Sequence, residues 1–107
     1  MGKKIIAVGG KNTPIVPCEP GSKGLQSPTN YRLDLIPPEA IFSLGRILQT
    51  GAEKYGEDNW KEIPSRNHIN KALIHLYAYL AGDTQDEHLD HAFTRIAMAI
   101  ATKEEQE

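Results

Sequence analysis

Residues 66–100, RNHINKALIHLYAYLAGDTQDEHLDHAFTRIAMAI, contain all four histidines of the chain and its densest run of apolar residues at helical spacing. The stretch reads as two helices joined by an acidic elbow, Gly82-Asp83-Thr84-Gln85-Asp86-Glu87. At about 100° per residue, Ile69, Leu73, Leu76 and Leu80 fall on one narrow line of the first helix, with His68, His75 and Tyr79 on a face about a quarter-turn away. The leucine line is expected to pack and the histidine face to bind. In the second helix Leu89, Phe93, Ile96 and Ile100 form the packing line, flanked by Glu87, Asp90 and Thr94 on one side and by His88, His91 and Arg95 on the other. Polar groups then border the seam between the two helices.

A chain of 107 residues suffices for one domain and one core. With 39% hydrophobic and 24% charged residues it falls in the globular range. A net charge of -2 offers no basic field to hold a nucleic acid polymer by counterion release, although a free nucleotide needs only a few local cations. The single cysteine, Cys18, cannot form a disulfide within the chain and lies among prolines without a nearby base, so it reads as a spectator thiol. No signal peptide or membrane-length apolar run is evident, and the expected compartment is the cytoplasm.

Outward from the histidine-bearing stretch, Lys3 to Val8, the turn Gly9-Gly10-Lys11-Asn12 and Ile15-Val16 suggest a short hairpin. Pro17 to Asn30 is too rich in proline, glycine and serine for a regular element and reads as a loop or arm. Pro37-Pro38 signals a helix start, with Glu39 suited to the positive end of the dipole. Ala40, Ile41, Leu44, Ile47, Leu48 and Tyr55 then share one side, which predicts a helix from Pro38 to Thr50 that can continue to Tyr55. Glu39, Arg46 and Glu53, every seventh residue, read as a solvated charged face. Trp60 follows a helix break, where it can stack on a base or plug the end of a core. Ser65 is placed to cap the next helix, and 103–107 to fray. The expected architecture is mainly α: a single domain over 1–107, with a β hairpin or arm over 1–31, a helical core of about three helices over 32–102 and the frayed tail. Phe42, Ile74, Tyr77 and Met98 lie outside the main lines, a surplus that favours a dimer or larger homo-oligomer.

Glu87-x-x-Asp90 is the strongest local chemical signal, because carboxylates three residues apart project side by side and can offer oxygen ligands to Mg²⁺. Asp83 and Asp86 could add charge, and an acidic helix start stabilised by the dipole accounts for the same residues. His68 and His75 are about 10 Å apart by helical rise, too far to chelate one ion. His88-x-x-His91 lacks the cysteines or glutamate of a zinc motif, so each histidine reads as a phosphate donor or a core residue.

Taken in order, Arg32-x-Asp34-Leu35-Ile36-Pro37-Pro38-Glu39-Ala40, Gly51-Ala52-Glu53-Lys54-Tyr55-Gly56-x-x-Asn59-Trp60, Ala72-Leu73-x-His75-Leu76 and Gly82-Asp83 with Asp86-Glu87-His88-Leu89 resemble the phage-encoded dATP/dGTP diphosphohydrolases. Those are counted with the MazG-like, all-α nucleotide pyrophosphohydrolases. The resemblance runs from about Arg32 to Ile100. It implies a MazG-like helical bundle that cleaves a purine (deoxy)nucleoside triphosphate between its α- and β-phosphates, with Mg²⁺ or Mn²⁺, in the host cytoplasm if phage-encoded. It also implies catalytic roles for Glu39, His75 and Glu87 and metal ligation by Asp83, Glu87 and Asp90. Nucleotide contacts would come from Arg32, Asp34, Lys54, Trp60, His75, His88 and Arg95. Neither a nucleic acid polymer nor a membrane is expected as a partner.

Two departures mark the chain. The Glu-Glu-x-x-Glu half of the MazG metal motif has no counterpart, and Ile74 and Arg95 stand where the phage family usually shows arginine and asparagine. They motivate the alternative expectation of an anti-defence sponge, which would sequester a nucleotide or cyclic-nucleotide defence signal without hydrolysis.

Overall fold

The computed structural model describes residues 14–28 and 30–106, with side chains through Lys103. The strand expected over Lys3 to Val8 and its glycine turn lie outside the described residues. Contacts divide the chain into two units, Met1–Ile36 and Pro37–Glu107.

In the first unit, β1 (Val16–Pro17) pairs antiparallel with β2 (Leu25–Gln26), Val16 opposite Gln26. The second strand lies in the stretch expected to be loop throughout. It forms because the chain turns back at Gly21, whose φ of 82° suits glycine, and the Cys18 N–H donates to the Gly24 carbonyl. A short 3₁₀ turn, Leu33–Leu35, follows.

The second unit is three helices. Helix α1 (Pro38–Tyr55) starts with Pro38 in its first turn, and Gly56 at φ 98° ends it while its N–H still reaches the Ala52 carbonyl. The helix therefore takes the longer of the two expected extents. Helix α2 (Ser65–Leu80) begins after Pro64, whose carbonyl accepts from the Asn67 N–H. Ser65 does not cap it as expected: the residue lies inside the first turn, and its hydroxyl donates across to the Ala99 carbonyl of α3. At the other end Gly82, at φ 86°, and Asp83 return their N–H groups to Tyr79 and Ala78 in a Schellman stop. Helix α3 (His88–Gln106) begins just after Glu87 and runs through most of the expected tail.

Helices α2 and α3 lie antiparallel, as the pairings of His75 with His88, His68 with Arg95 and Ser65 with Ala99 require. Their faces are exchanged relative to the sequence expectation. His68 and Ala72 are buried on α2, and Ala92, Ala99 and Thr102 on α3. On the leucine lines Leu73 is 46% exposed, Leu80 75% and Ile100 59%. The reason is steric: alanine and threonine let the two backbones approach, and each buried hydroxyl returns its proton to its own helix, Thr94 to Asp90 and Thr102 to Met98.

Candidate functional site

Three arrangements of polar groups lie along the seams of the second unit. In the first, Arg46 of α1 reaches the start of α3. Its guanidinium donates to Glu87 at 2.6 and 3.0 Å and to Asp90 at 3.2 Å, and the Ser43 hydroxyl also donates to Asp90. The Glu-x-x-Asp pair thus converges on one cation position, which the guanidinium fills. Asp83, expected beside these acids, is engaged elsewhere. The heptad Glu39-Arg46-Glu53 reads as solvent-facing charge, yet Arg46 is a tie between helices, and only tertiary packing reveals it.

In the second arrangement, Asp83, His88, His75, His91 and Asp86 gather around the elbow. Asp83 accepts from His88 Nε2 at 2.9 Å, and His88 Nδ1 meets His75 Nδ1 at 2.9 Å. His91 stacks on His75 with ring centroids 5.0 Å apart, and its Nε2 lies 3.4 Å from Asp86. Asp83 is held below the usual carboxylate range, chiefly by the Gln85 backbone N–H and then by His88. The Glu87 N–H does the same for Asp86, with smaller help from His91. Burial pushes His75 below the ordinary histidine value, reinforced by His91 and His88. Helical spacing set His68 and His75 too far apart to chelate one ion, and no motif joined the others; the antiparallel hairpin brings His75 and His88 together.

The third arrangement is a cleft of about 800 Å³ between the C-terminal half of α1, the 56–63 turn and α3. Lys54, Trp60, Lys71, His91 and Arg95 line it, over an apolar floor that includes Ile47, Leu48 and Met98. Its volume is that of a site for a small organic ligand. Buried His68 fixes one wall: Arg95 donates to His68 Nδ1 at 2.9 Å, so the proton sits on Nε2, which donates to the Trp60 carbonyl at 2.9 Å. Asp58, before Trp60, takes a left-handed φ of 64°, a conformation tolerated by aspartate. Burial lowers the pKa of His68 and also that of Arg95, whose charge the nearby Tyr55 partly supports.

Of the expected nucleotide contacts, Lys54, Trp60 and Arg95 share the cleft, while His75 and His88 belong to the elbow cluster and reach the cleft wall through His91. Glu39 is exposed in the first turn of α1, outside the cleft. Arg32 and Asp34 belong to the first unit and pair with one another through two bonds of 2.8 and 2.9 Å. That pairing raises the Arg32 pKa and lowers that of Asp34. Lys71, a further cation on the cleft wall, had no sequence signal beyond its place in α2.

Histidines kept neutral in the fold make stability acid-sensitive. His68 and His75 have folded pKa values below the unfolded value of about 6.5, so the unfolded chain binds more protons as the pH falls through that value. Their contribution is full above about pH 6.5 and declines as the pH drops toward the folded values. The melting temperature is expected to fall between about pH 7 and pH 5, with Asp83 and Asp86 adding a further loss only in the acid range below about pH 4. A melting temperature constant from about pH 7 to pH 5 would contradict this assignment.

The fold and cleft define a three-helix protein with an aromatic and cationic recess. The sequence profile described as dATP/dGTP diphosphohydrolase, N-terminal, matches residues 20–107, and the chain belongs to that family. The match starts ahead of Arg32 and takes in part of the arm that the quoted blocks leave out. No curated protein and no solved structure matches the chain. No helix among the described residues is long and apolar enough to cross a membrane.

Proposed function

We propose that the protein is a purine nucleoside triphosphate pyrophosphohydrolase that uses Mg²⁺ or Mn²⁺ and works on dATP or dGTP. The family match carries the nucleotide class, and the observation that carries the site is the cleft, where Trp60 stands among Lys54, Lys71 and Arg95. An indole can stack on a purine, and three cationic side chains suit a triphosphate. Hydrolysis forms a bond from a water oxygen to the α-phosphorus and breaks that phosphorus's bond to the bridging oxygen, so pyrophosphate leaves.

A divalent ion would supply charge neutralisation on the phosphates, and Glu87 with Asp90 would hold it. Mg²⁺ commonly takes one or two carboxylates and completes its shell from phosphates and water, which fits this pair. The Arg46 guanidinium marks the position as one suited to positive charge. Thr94, one turn beyond Asp90 on α3, lines the cleft, so the acids stand beside the recess without lining it.

Arg46 also supports a second reading, in which the acids serve only to hold α1 and the cleft captures a nucleotide without cutting it. Incubation of the pure protein with dATP or dGTP and Mg²⁺ separates the two. Monophosphate and pyrophosphate are the expected products; recovery of intact nucleotide after denaturation, from complexes formed without Mg²⁺, would favour capture.

The exposed leucine lines support a homo-oligomer, in which a second copy covers Leu73, Leu80, Phe93 and Ile100. Light scattering behind size exclusion is expected to give at least twice the 11.9 kDa chain mass, and Leu73→Glu to reduce it; a monomeric mass for the unaltered chain would refute the assembly.

A further inference from the structure

We infer that the elbow cluster is a binding site for a borderline transition-metal dication of the Zn²⁺ or Co²⁺ class, held by His75, His88 and Asp86. This site is separate from the Glu87–Asp90 pair and does not depend on the nucleotide reading. One ligand atom from each of the three residues lies within 4.8 Å of the others. The two ring nitrogens, 2.9 Å apart, need to separate only to the ~3.3 Å edge of a tetrahedron with metal–nitrogen bonds of about 2.0–2.1 Å. Asp86 is half-exposed on the elbow; its Oδ1 accepts from the Glu87 N–H at 2.7 Å, so Oδ2 is the atom offered to the ion.

The surrounding hydrogen bonds prepare the rings. His88 gives its Nε2 proton to Asp83, which fixes the Nδ1 lone pair toward the site in the carboxylate–histidine–metal pattern. With no ion, His75 must donate from Nδ1 to His88 Nδ1, because a neutral His88 has its one proton on Nε2. Metal binding requires only that the His75 proton move to Nε2 through solvent, leaving two lone pairs on the ion. His91, stacked on His75, holds that ring in place. Imidazoles with a single carboxylate suit zinc-class ions, whereas Mg²⁺ prefers oxygen ligands throughout. The bound ion joins the last turns of α2 to the first turn of α3, so its binding energy stabilises the hairpin.

The test is titration of the full chain with Co²⁺ alone, followed by visible absorption, with Zn²⁺ as competitor and melting temperature as a second readout. One equivalent with intense d–d bands, displaced by Zn²⁺, and a higher melting temperature in Zn²⁺ are expected. His75→Ala and His88→Ala should abolish the bands, and Asp83→Asn should weaken binding about 10–100-fold. Glu87→Gln and Asp90→Asn should leave the spectrum intact even if they remove hydrolysis. Absence of the bands from the unaltered protein, or their persistence in a folded His75→Ala variant, would overturn the assignment. If the histidine variants do not fold, exposed Asp86→Asn decides it: unchanged Co²⁺ affinity and spectrum refute the ligand set.

Discussion

Glu87→Gln and Asp90→Asn, made singly, should each lower dATP or dGTP hydrolysis on the order of 10²-fold or more while leaving the fold intact. The magnitude follows from losing a metal-holding carboxylate, since ion stabilisation of phosphoryl charge contributes several kcal/mol and each ~1.4 kcal/mol is tenfold in rate. The fold tolerates the change because the Arg46 contacts are solvent-exposed, and such pairs contribute at most about 1 kcal/mol. Arg46→Ala is the informative partner: it removes the competing guanidinium, so the Mg²⁺ concentration for half-maximal rate should fall. Equal rates for Glu87→Gln and the unaltered protein across a Mg²⁺ titration would remove the pair from the reaction.

The second large effect is on stability. His68→Ala should cost roughly 3 kcal/mol or more, because it opens a cavity and leaves the Trp60 carbonyl and the Arg95 guanidinium without their partner. At about 4–8 °C per kcal/mol for a domain of this size, the melting temperature drops by more than ~10 °C. His68→Gln can donate to the carbonyl and accept from Arg95, and should recover much of the loss. Equal melting temperatures for the alanine variant and the parent would show that the Trp60–His68–Arg95 link carries no stability.

The helical class was legible because apolar spacing, Pro37-Pro38 and the glycines at 56 and 82 mark elements by local physics alone. Which face of each helix packs was not legible. Periodicity ranks faces by hydrophobicity and would bury Leu73 and Leu80; close approach through Ala72, Ala92 and Ala99 buries His68 instead. Lys54 and Trp60 lie in the blocks that resemble the family, Arg95 departs from its pattern, and the fold places all three on one cleft. Arg46 with Glu87, and His75 with His88, are contacts between helices. Their sequence separations of 41 and 13 residues leave no local pattern from which to infer them.

The chain contains a single tryptophan, and the fold sets it on the wall of the cleft, with Lys61 over its ring at 5.7 Å. Excited at the red edge, where the four tyrosines do not absorb, the intrinsic fluorescence of this protein therefore has one source at one address. Quenching or a spectral shift on adding a nucleotide reports occupancy of the recess itself, without a label and without background from a second indole.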